Sequence, residues 1–154
     1  MPYVHKDCVY LFKGDEFGVS LQMDGKSVKS VSYQPDMTKA DVTLKFTQVA
    51  EDGEEPMMML TIKNRTKEKI YVDALMTVPG KKGILKTSVL PLDPGLAGFE
   101  SWPHPVVQLV LKNIRTTEKN QVQQGGASDG DRPAKLIRAS IPPRMASNVK
   151  SIKL

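Results

Sequence analysis

Apolar and polar residues alternate along most of residues 1–118, and this period of two constrains the fold more than any other feature of the chain. In residues 17–23 the odd positions are apolar and the even positions are not. The same alternation runs through residues 42–46 and 70–78. Successive side chains of a strand point to opposite faces, so this pattern is typical of strands that bury one face. Helical spacing is never sustained, and the sequence therefore predicts an all-β domain.

Turn-forming residues divide this pattern into about eight strands. Asp24-Gly25 predicts a hairpin between residues 17–23 and 26–33, in which a two-residue turn sets Met23 opposite Lys26. The strand at residues 106–114 is apolar on both parities, which predicts a central strand buried on both faces. The remaining strands are predicted at residues 8–13, 41–49, 57–63, 70–78 and 84–90.

The spacing of the turns favours two antiparallel sheets packed face to face. The predicted architecture is a sandwich with an immunoglobulin-like layout, and a closed barrel is the alternative. Antibody domains pack a tryptophan on a disulfide between their sheets, whereas this chain has a single cysteine, Cys8. The similarity is therefore one of layout, and the core has to hold the fold without a disulfide.

The net positive charge of the chain lies entirely beyond Glu118. Residues 1–118 contain 15 basic and 15 acidic residues, whereas residues 119–154 contain 7 basic and 2 acidic residues. Every aromatic residue also lies before position 118, so only this part can bury enough apolar surface to offset the entropy of folding. We predict one domain over residues 1–118 and a flexible basic tail over residues 119–154, with a Gln- and Gly-rich linker at its start.

The end of the predicted tail combines positive charge with scattered apolar residues. Leu136, Ile137 and Ile141 lie beside Pro142-Pro143, which is typical of an extended peptide that docks into a protein groove or onto a sheet edge. The alternative is a polyanion binder that contacts nucleic acid or an anionic membrane, although the tail has no aromatic residue to stack on bases. Under either interpretation the contacts are expected from the basic residues Lys135, Arg138, Arg144, Lys150 and Lys153.

Trp102 and His104 belong to the most unusual local string, Phe-Glu-Ser-Trp-Pro-His-Pro at residues 99–105. Ser101, Glu100 and His104 are the residue types of a catalytic triad, but the members of a triad normally come from separate elements. The prolines restrict the backbone, so Trp102 is expected to close one end of the sandwich. If the domain binds a ligand, Trp102 and His104 supply stacking area and a polar group.

The sequence predicts neither a metal site nor a cofactor site. Cys8, His5 and His104 are three soft ligands, fewer than a structural zinc site needs. The acidic loop at residues 51–55 lacks the alternating spacing of a calcium loop, and no glycine-rich phosphate loop is present. Without a catalytic constellation, we expect a non-catalytic binding or structural module that acts through protein–protein interaction.

The N-terminal residues do not predict a signal peptide, because Lys6 and Asp7 interrupt the apolar residues there. No apolar stretch approaches the roughly 18 residues of a membrane-spanning helix. A single thiol is compatible with a reducing compartment and with a secreted protein. The sandwich layout favours the cell envelope or the exterior if a leader was trimmed, and the cytoplasm otherwise.

Overall fold

A computed structural model of the chain describes residues 3–50 and 52–118. Its regular structure consists of ten β-strands, and no described segment forms a helix that is long and apolar enough to cross a membrane. The strands are β1 (Val4–His5), β2 (Cys8–Leu11), β3 (Glu16–Asp24), β4 (Ser27–Gln34), β5 (Val42–Val49), β6 (Met57–Asn64), β7 (Tyr71–Thr77), β8 (Leu85–Ser88), β9 (Ala97–Trp102) and β10 (Gln108–Arg115).

The strands form two sheets of five, and every pairing between them is antiparallel. The first sheet has the order β1-β2-β10-β7-β8, and the second has the order β4-β3-β5-β6-β9. Their buried residues form one apolar cluster that includes strands of both sheets. The predicted all-β sandwich is thereby confirmed.

The core consists of the residues that the alternation predicts to face inward. Val42, Leu44 and Phe46 of β5 are buried, and so are alternate residues along β7 and its flanks from Ile70 to Val78. Met58 of β6 is also buried, whereas Met57 and Met59 on either side of it are half-buried. Each fully buried aliphatic or aromatic side chain stabilises the fold by about 1.5 to 3 kcal/mol.

The β3–β4 hairpin is confirmed, but its predicted register is wrong. Met23 pairs with Val28 and Asp24 pairs with Ser27, so the turn residues are Gly25 and Lys26. Gly25 has a φ of 64° while Lys26 has no positive φ, which is the pattern of a type II′ turn with glycine first. The turn therefore begins one residue later than the Asp-Gly pair suggests. A bulge farther along β4 then shifts the pairing, so that the apolar residues of β4 face the core again.

The sequence also missed two strands, β1 and β9. β1 has only two residues, which is too short for an alternation to show. In β9 the inward positions are Gly98, Glu100 and Trp102, so the inner face carries one apolar residue only. A larger residue at position 98 would require Leu92 to shift, because a Cβ there would lie 2.7 Å from Cδ2 of that buried side chain.

The strand predicted at residues 106–114 is central in its sheet, as expected. The prediction that it is buried on both faces is wrong, because Val110 is only half-buried and Val107 is exposed. Leu111 and Ile114 both face the core although their parities differ. A bulge at Asn113, whose φ is 52°, shifts the register between them and accounts for the mixed apolar pattern.

Candidate functional site at the edge strand β9

β9 is the last strand of the second sheet and pairs with β6 on one side. Asn64 and Leu96 lie opposite each other where the β6–β9 ladder begins. The Asn64 N–H donates to Leu96 O at 2.9 Å, so these two residues form a hydrogen-bonded pair. Hydrogen-bonded pairs alternate with non-bonded pairs in an antiparallel ladder. The backbone N–H and C=O groups of Ala97, Phe99 and Ser101 consequently point away from β6, toward the edge of β9 at which no described strand pairs, which we call the open edge.

Phe99 lies at the middle of this edge, and its side chain is 65% exposed. The Phe99 side chain points to the outer face of the sheet, because Gly98 and Glu100 on either side of it point inward. Ser101 pairs with Met59, and Phe99 pairs with Thr61, so Phe99 and Met59 are diagonal neighbours within reach of each other. An exposed aromatic ring on an open strand edge is a feature that soluble proteins usually avoid.

The outer face of β6 continues the apolar surface toward β5. Met57 pairs with Val49, which is 37% exposed, and Met59 pairs with Thr47. Met57 and Met59 are half-buried themselves. We call Val49, Met57, Met59 and Phe99 the apolar strip. Thioether side chains adapt their shape to a partner, so this strip can pack against varied apolar groups.

Glu100 points the other way, into the space between the two sheets. One of its carboxylate oxygens, Oε1, accepts a hydrogen bond from the Leu90 N–H at 2.7 Å. Burial raises the pKa of the Glu100 carboxyl above its ordinary value of 4.5, and the bond from Leu90 offsets only part of that rise. The carboxylate thereby connects β9 to the segment after β8 across this side of the sandwich.

The raised pKa of Glu100 predicts that its ionisation destabilises the fold. Between pH 4.5 and the folded pKa the folded chain holds more protons than the unfolded chain, so stability falls as the pH rises through that window. Glu100→Gln keeps an acceptor for Leu90 without the charge, and we expect it to remove this part of the pH dependence. Urea unfolding at several pH values above 4.5 measures the difference. Glu54→Gln, at an exposed loop position, is the control, and equal pH profiles for wild type and Glu100→Gln would contradict the prediction.

The two site residues predicted from the sequence occupy different surroundings. Trp102 is buried; its Nε1–H donates to Thr87 Oγ1 at 2.8 Å, and its ring meets Phe46 edge-on with centroids 6.2 Å apart. His104 is half-buried, and its Nδ1 lies 3.2 Å from Pro105 O. The Trp102 indole is thus engaged by the fold, and a ligand site at Trp102 and His104 stays a prediction.

Two other sets of residues complete the comparison with the sequence. Within residues 3–50 and 52–118 no three histidine, cysteine, aspartate or glutamate side chains cluster as metal ligands do. The basic residues predicted to dock, Lys135, Arg138, Arg144, Lys150 and Lys153, lie outside the described residues, as does the rest of the predicted tail.

Comparison with protein families, curated proteins and solved structures finds no match to this chain.

Proposed function

We propose that this protein is a non-catalytic β-sandwich module that binds a partner protein by accepting an extended segment of it at the open edge of β9. The observation that carries the proposal is the position of Phe99, which stands 65% exposed on a strand that pairs on one side with β6. An added strand uses the outward backbone groups of Ala97, Phe99 and Ser101 for its hydrogen bonds.

The side chains around this edge define what the added strand has to carry. On the outer face the apolar strip favours an apolar residue, because Phe99 and Met59 are then removed from water. On the inner face Glu100 is partly buried, which makes it unfavourable to place an apolar or acidic side chain of the added strand beside its carboxylate. Main-chain bonds supply affinity in this mode, and alternate side chains supply specificity. An inward charge also guards the edge against unselective pairing.

Peptides selected from a random library against the full chain test this proposal. We expect the selected peptides to alternate apolar and polar residues, and Phe99→Lys to weaken their binding by about ten- to a hundredfold, which corresponds to the loss of one buried aromatic contact. Ile84→Lys is the matched control, because Ile84 is 66% exposed and lies outside the strip. If the two substitutions weaken peptide binding equally, the proposal is wrong.

Amide hydrogen exchange in the complex gives a second, residue-specific measurement. Strand addition should slow exchange at Ala97, Phe99 and Ser101, whose amides face the open edge. The amides of Gly98 and Glu100 face β6 and should change little. Slowed exchange confined to residues away from β9 would show that the peptides bind elsewhere.

The predicted polyanion contact through the tail stays an alternative, and the immunoglobulin-like layout stays a prediction. The excess charge beyond position 118 supports the first. The absence of aromatic residues there favours a protein partner over nucleic acid.

A further inference from the structure

A half-open cleft of about 270 Å³ lies on the side of the sandwich opposite β9. It forms where the β1–β2 turn and the end of β10, both in the first sheet, approach β4 of the second sheet. Three lysines, Lys6, Lys29 and Lys112, line it together with the apolar residues Val28, Val31 and Ile114 and the polar residues Asp7, Cys8, Ser30 and Asn113.

The cleft exists because β10 continues beyond its neighbour. β2 begins at Cys8, whereas β10 extends to Arg115. On the β2 side the last residues of β10 therefore approach β4 instead of a described strand of their own sheet, while on the other side Arg115 still pairs with Tyr71 of β7. Asp7 fixes this arrangement, since its Oδ1 accepts the Val31 N–H at 2.9 Å. The hydroxyl of Thr116 also bonds to Lys26 O at the β3–β4 turn. Both contacts connect the two sheets at this end.

Backbone conformations that side chains seldom adopt surround the cleft. Lys6, Asp7 and Asn113 have φ values of 51°, 60° and 52°, and they are the non-glycine residues with positive φ in the described part of the chain. Lys6-Asp7 occupies a hairpin turn that usually takes Asn-Gly. The bulge at Asn113 turns Ile114 toward the core. Such conformations cost roughly 1 to 3 kcal/mol each, and here they bring Lys6 and the end of β10 to the cleft.

The charge of the cleft is positive. Asp7 is the acidic residue that lines it, against three lysines, and that carboxylate already accepts a backbone N–H. Among the described residues the lysine ion pairs are those of Lys39, Lys45 and Lys69, none of which lines the cleft. Asp73, opposite Lys112 in the ladder, is held by Arg115 and Asn113. The residues that line the cleft therefore carry an excess of positive charge, which attracts an anion.

We infer that this cleft binds a small molecule that carries a phosphate group. Lysine ammonium groups are well suited to phosphate as point charges, and three of them match a dianion. The apolar floor of Val28, Val31 and Ile114 can cover an apolar substituent of the same molecule. The volume of about 270 Å³ is small for a ligand pocket and suits a compact phosphate monoester.

Calorimetric titration of the full chain with phenyl phosphate and with inorganic phosphate tests the inference. We expect saturable binding of both, tighter for phenyl phosphate because of the apolar floor. Changing Lys6, Lys29 and Lys112 together to glutamine should weaken binding by about a hundredfold or more, since each charged contact contributes roughly tenfold. The matched control changes Lys81, Lys82 and Lys86 to glutamine, an equal loss of charge away from the cleft, and should stay within about twofold.

Cys8 provides an independent reading at the site, because it is the only cysteine of the chain and is half-buried in the cleft. Phenyl phosphate should slow alkylation of Cys8 by iodoacetamide in the wild type and in the control variant. It should have no such effect in the variant that lacks the three cleft lysines. Absence of saturable binding, equal weakening in both triple variants, or binding that leaves Cys8 alkylation unchanged would each overturn the inference.

Discussion

Replacing Trp102 with alanine is expected to lower the free energy of unfolding by about 3 to 5 kcal/mol. The indole is 7% exposed and packs edge-on against Phe46, with ring centroids 6.2 Å apart. Its Nε1–H donates to Thr87 Oγ1 at 2.8 Å, so the same side chain joins β9 of one sheet to β8 of the other. Truncation removes the packing and leaves the hydroxyl without this partner. Urea unfolding followed by far-ultraviolet circular dichroism measures the loss.

Two variants separate the packing of Trp102 from its hydrogen bond. Trp102→Phe keeps most of the ring contact and removes the N–H, while Thr87→Val removes the acceptor and keeps the volume. Each is expected to cost about 1 kcal/mol, the usual net value of one hydrogen bond. A loss below about 1 kcal/mol for Trp102→Ala would contradict buried packing, and the indole would then become available for the ligand role predicted from the sequence.

Most of the core could be predicted because a strand with one buried face imposes a local pattern. The alternate apolar residues predicted to face inward in these strands are buried: Val42, Leu44 and Phe46 in β5, and Val72, Ala74 and Met76 in β7. The register of the β3–β4 hairpin could not be predicted in this way. It depends on whether Gly25 takes the first or second turn position, and the Asp-Gly pair permits either.

The edge strand β9 escaped prediction for a long-range reason. Gly98 is small because Leu92 packs against it, and Glu100 faces inward because the Leu90 N–H is there to bond it. Neither reason is visible in the local string. The sequence did single out residues 99–105, but the interpretation rested on Trp102, which is buried in the core. Phe99 becomes conspicuous only when the strand order shows β9 at the end of its sheet.

The cleft lysines were equally hidden, because they come from three separate segments. Lys6, Lys29 and Lys112 lie in the β1–β2 turn, in β4 and in β10. Each reads locally as a solvated charge in a neutral part of the chain. Only the packing of β4 beside the end of β10 brings them to one opening. Net charge along the sequence therefore indicated the tail, whereas the described residues place a local positive surface within the domain.

Asn64 is the buried polar residue on which the β9 side of the sandwich depends. It is 0% exposed at the end of β6. Its Nδ2 donates to Glu68 O at 2.7 Å and to Leu92 O at 3.0 Å. Its Oδ1 accepts from the N–H of Thr66 at 2.9 Å and from the Thr66 hydroxyl at 2.7 Å. One amide thus holds the turn after β6 and the segment that leads into β9.

Asn64→Leu, which keeps the number of side-chain heavy atoms but is bulkier and removes all four bonds, is expected to lower the free energy of unfolding by about 3 to 5 kcal/mol. Leu92 O keeps the bond from the Ile70 N–H at 2.9 Å, so the loss comes from the four Asn64 bonds together, each of which contributes about 0.5 to 1.5 kcal/mol. Asn64→Asp should be at least as harmful near neutral pH, because a carboxylate there would face the two carbonyl oxygens of Glu68 and Leu92 that now accept from Nδ2.

The pH response of Asn64→Asp gives this prediction its sharpest form. Protonation of the introduced carboxyl restores one donor toward Glu68 O or Leu92 O, so this variant should regain stability relative to wild type as the pH falls, whereas Asn64→Leu should not. Thr66→Val, which removes only the hydroxyl contacts of the same turn, is the control and should cost about 1 kcal/mol. Wild-type stability for Asn64→Leu would contradict the assignment of these bonds. If Asn64→Leu loses stability while amide hydrogen exchange in β9 is unchanged, the Asn64 hydrogen bonds stabilise only the turn after β6. They would then have no influence on the strand edge that Phe99 occupies.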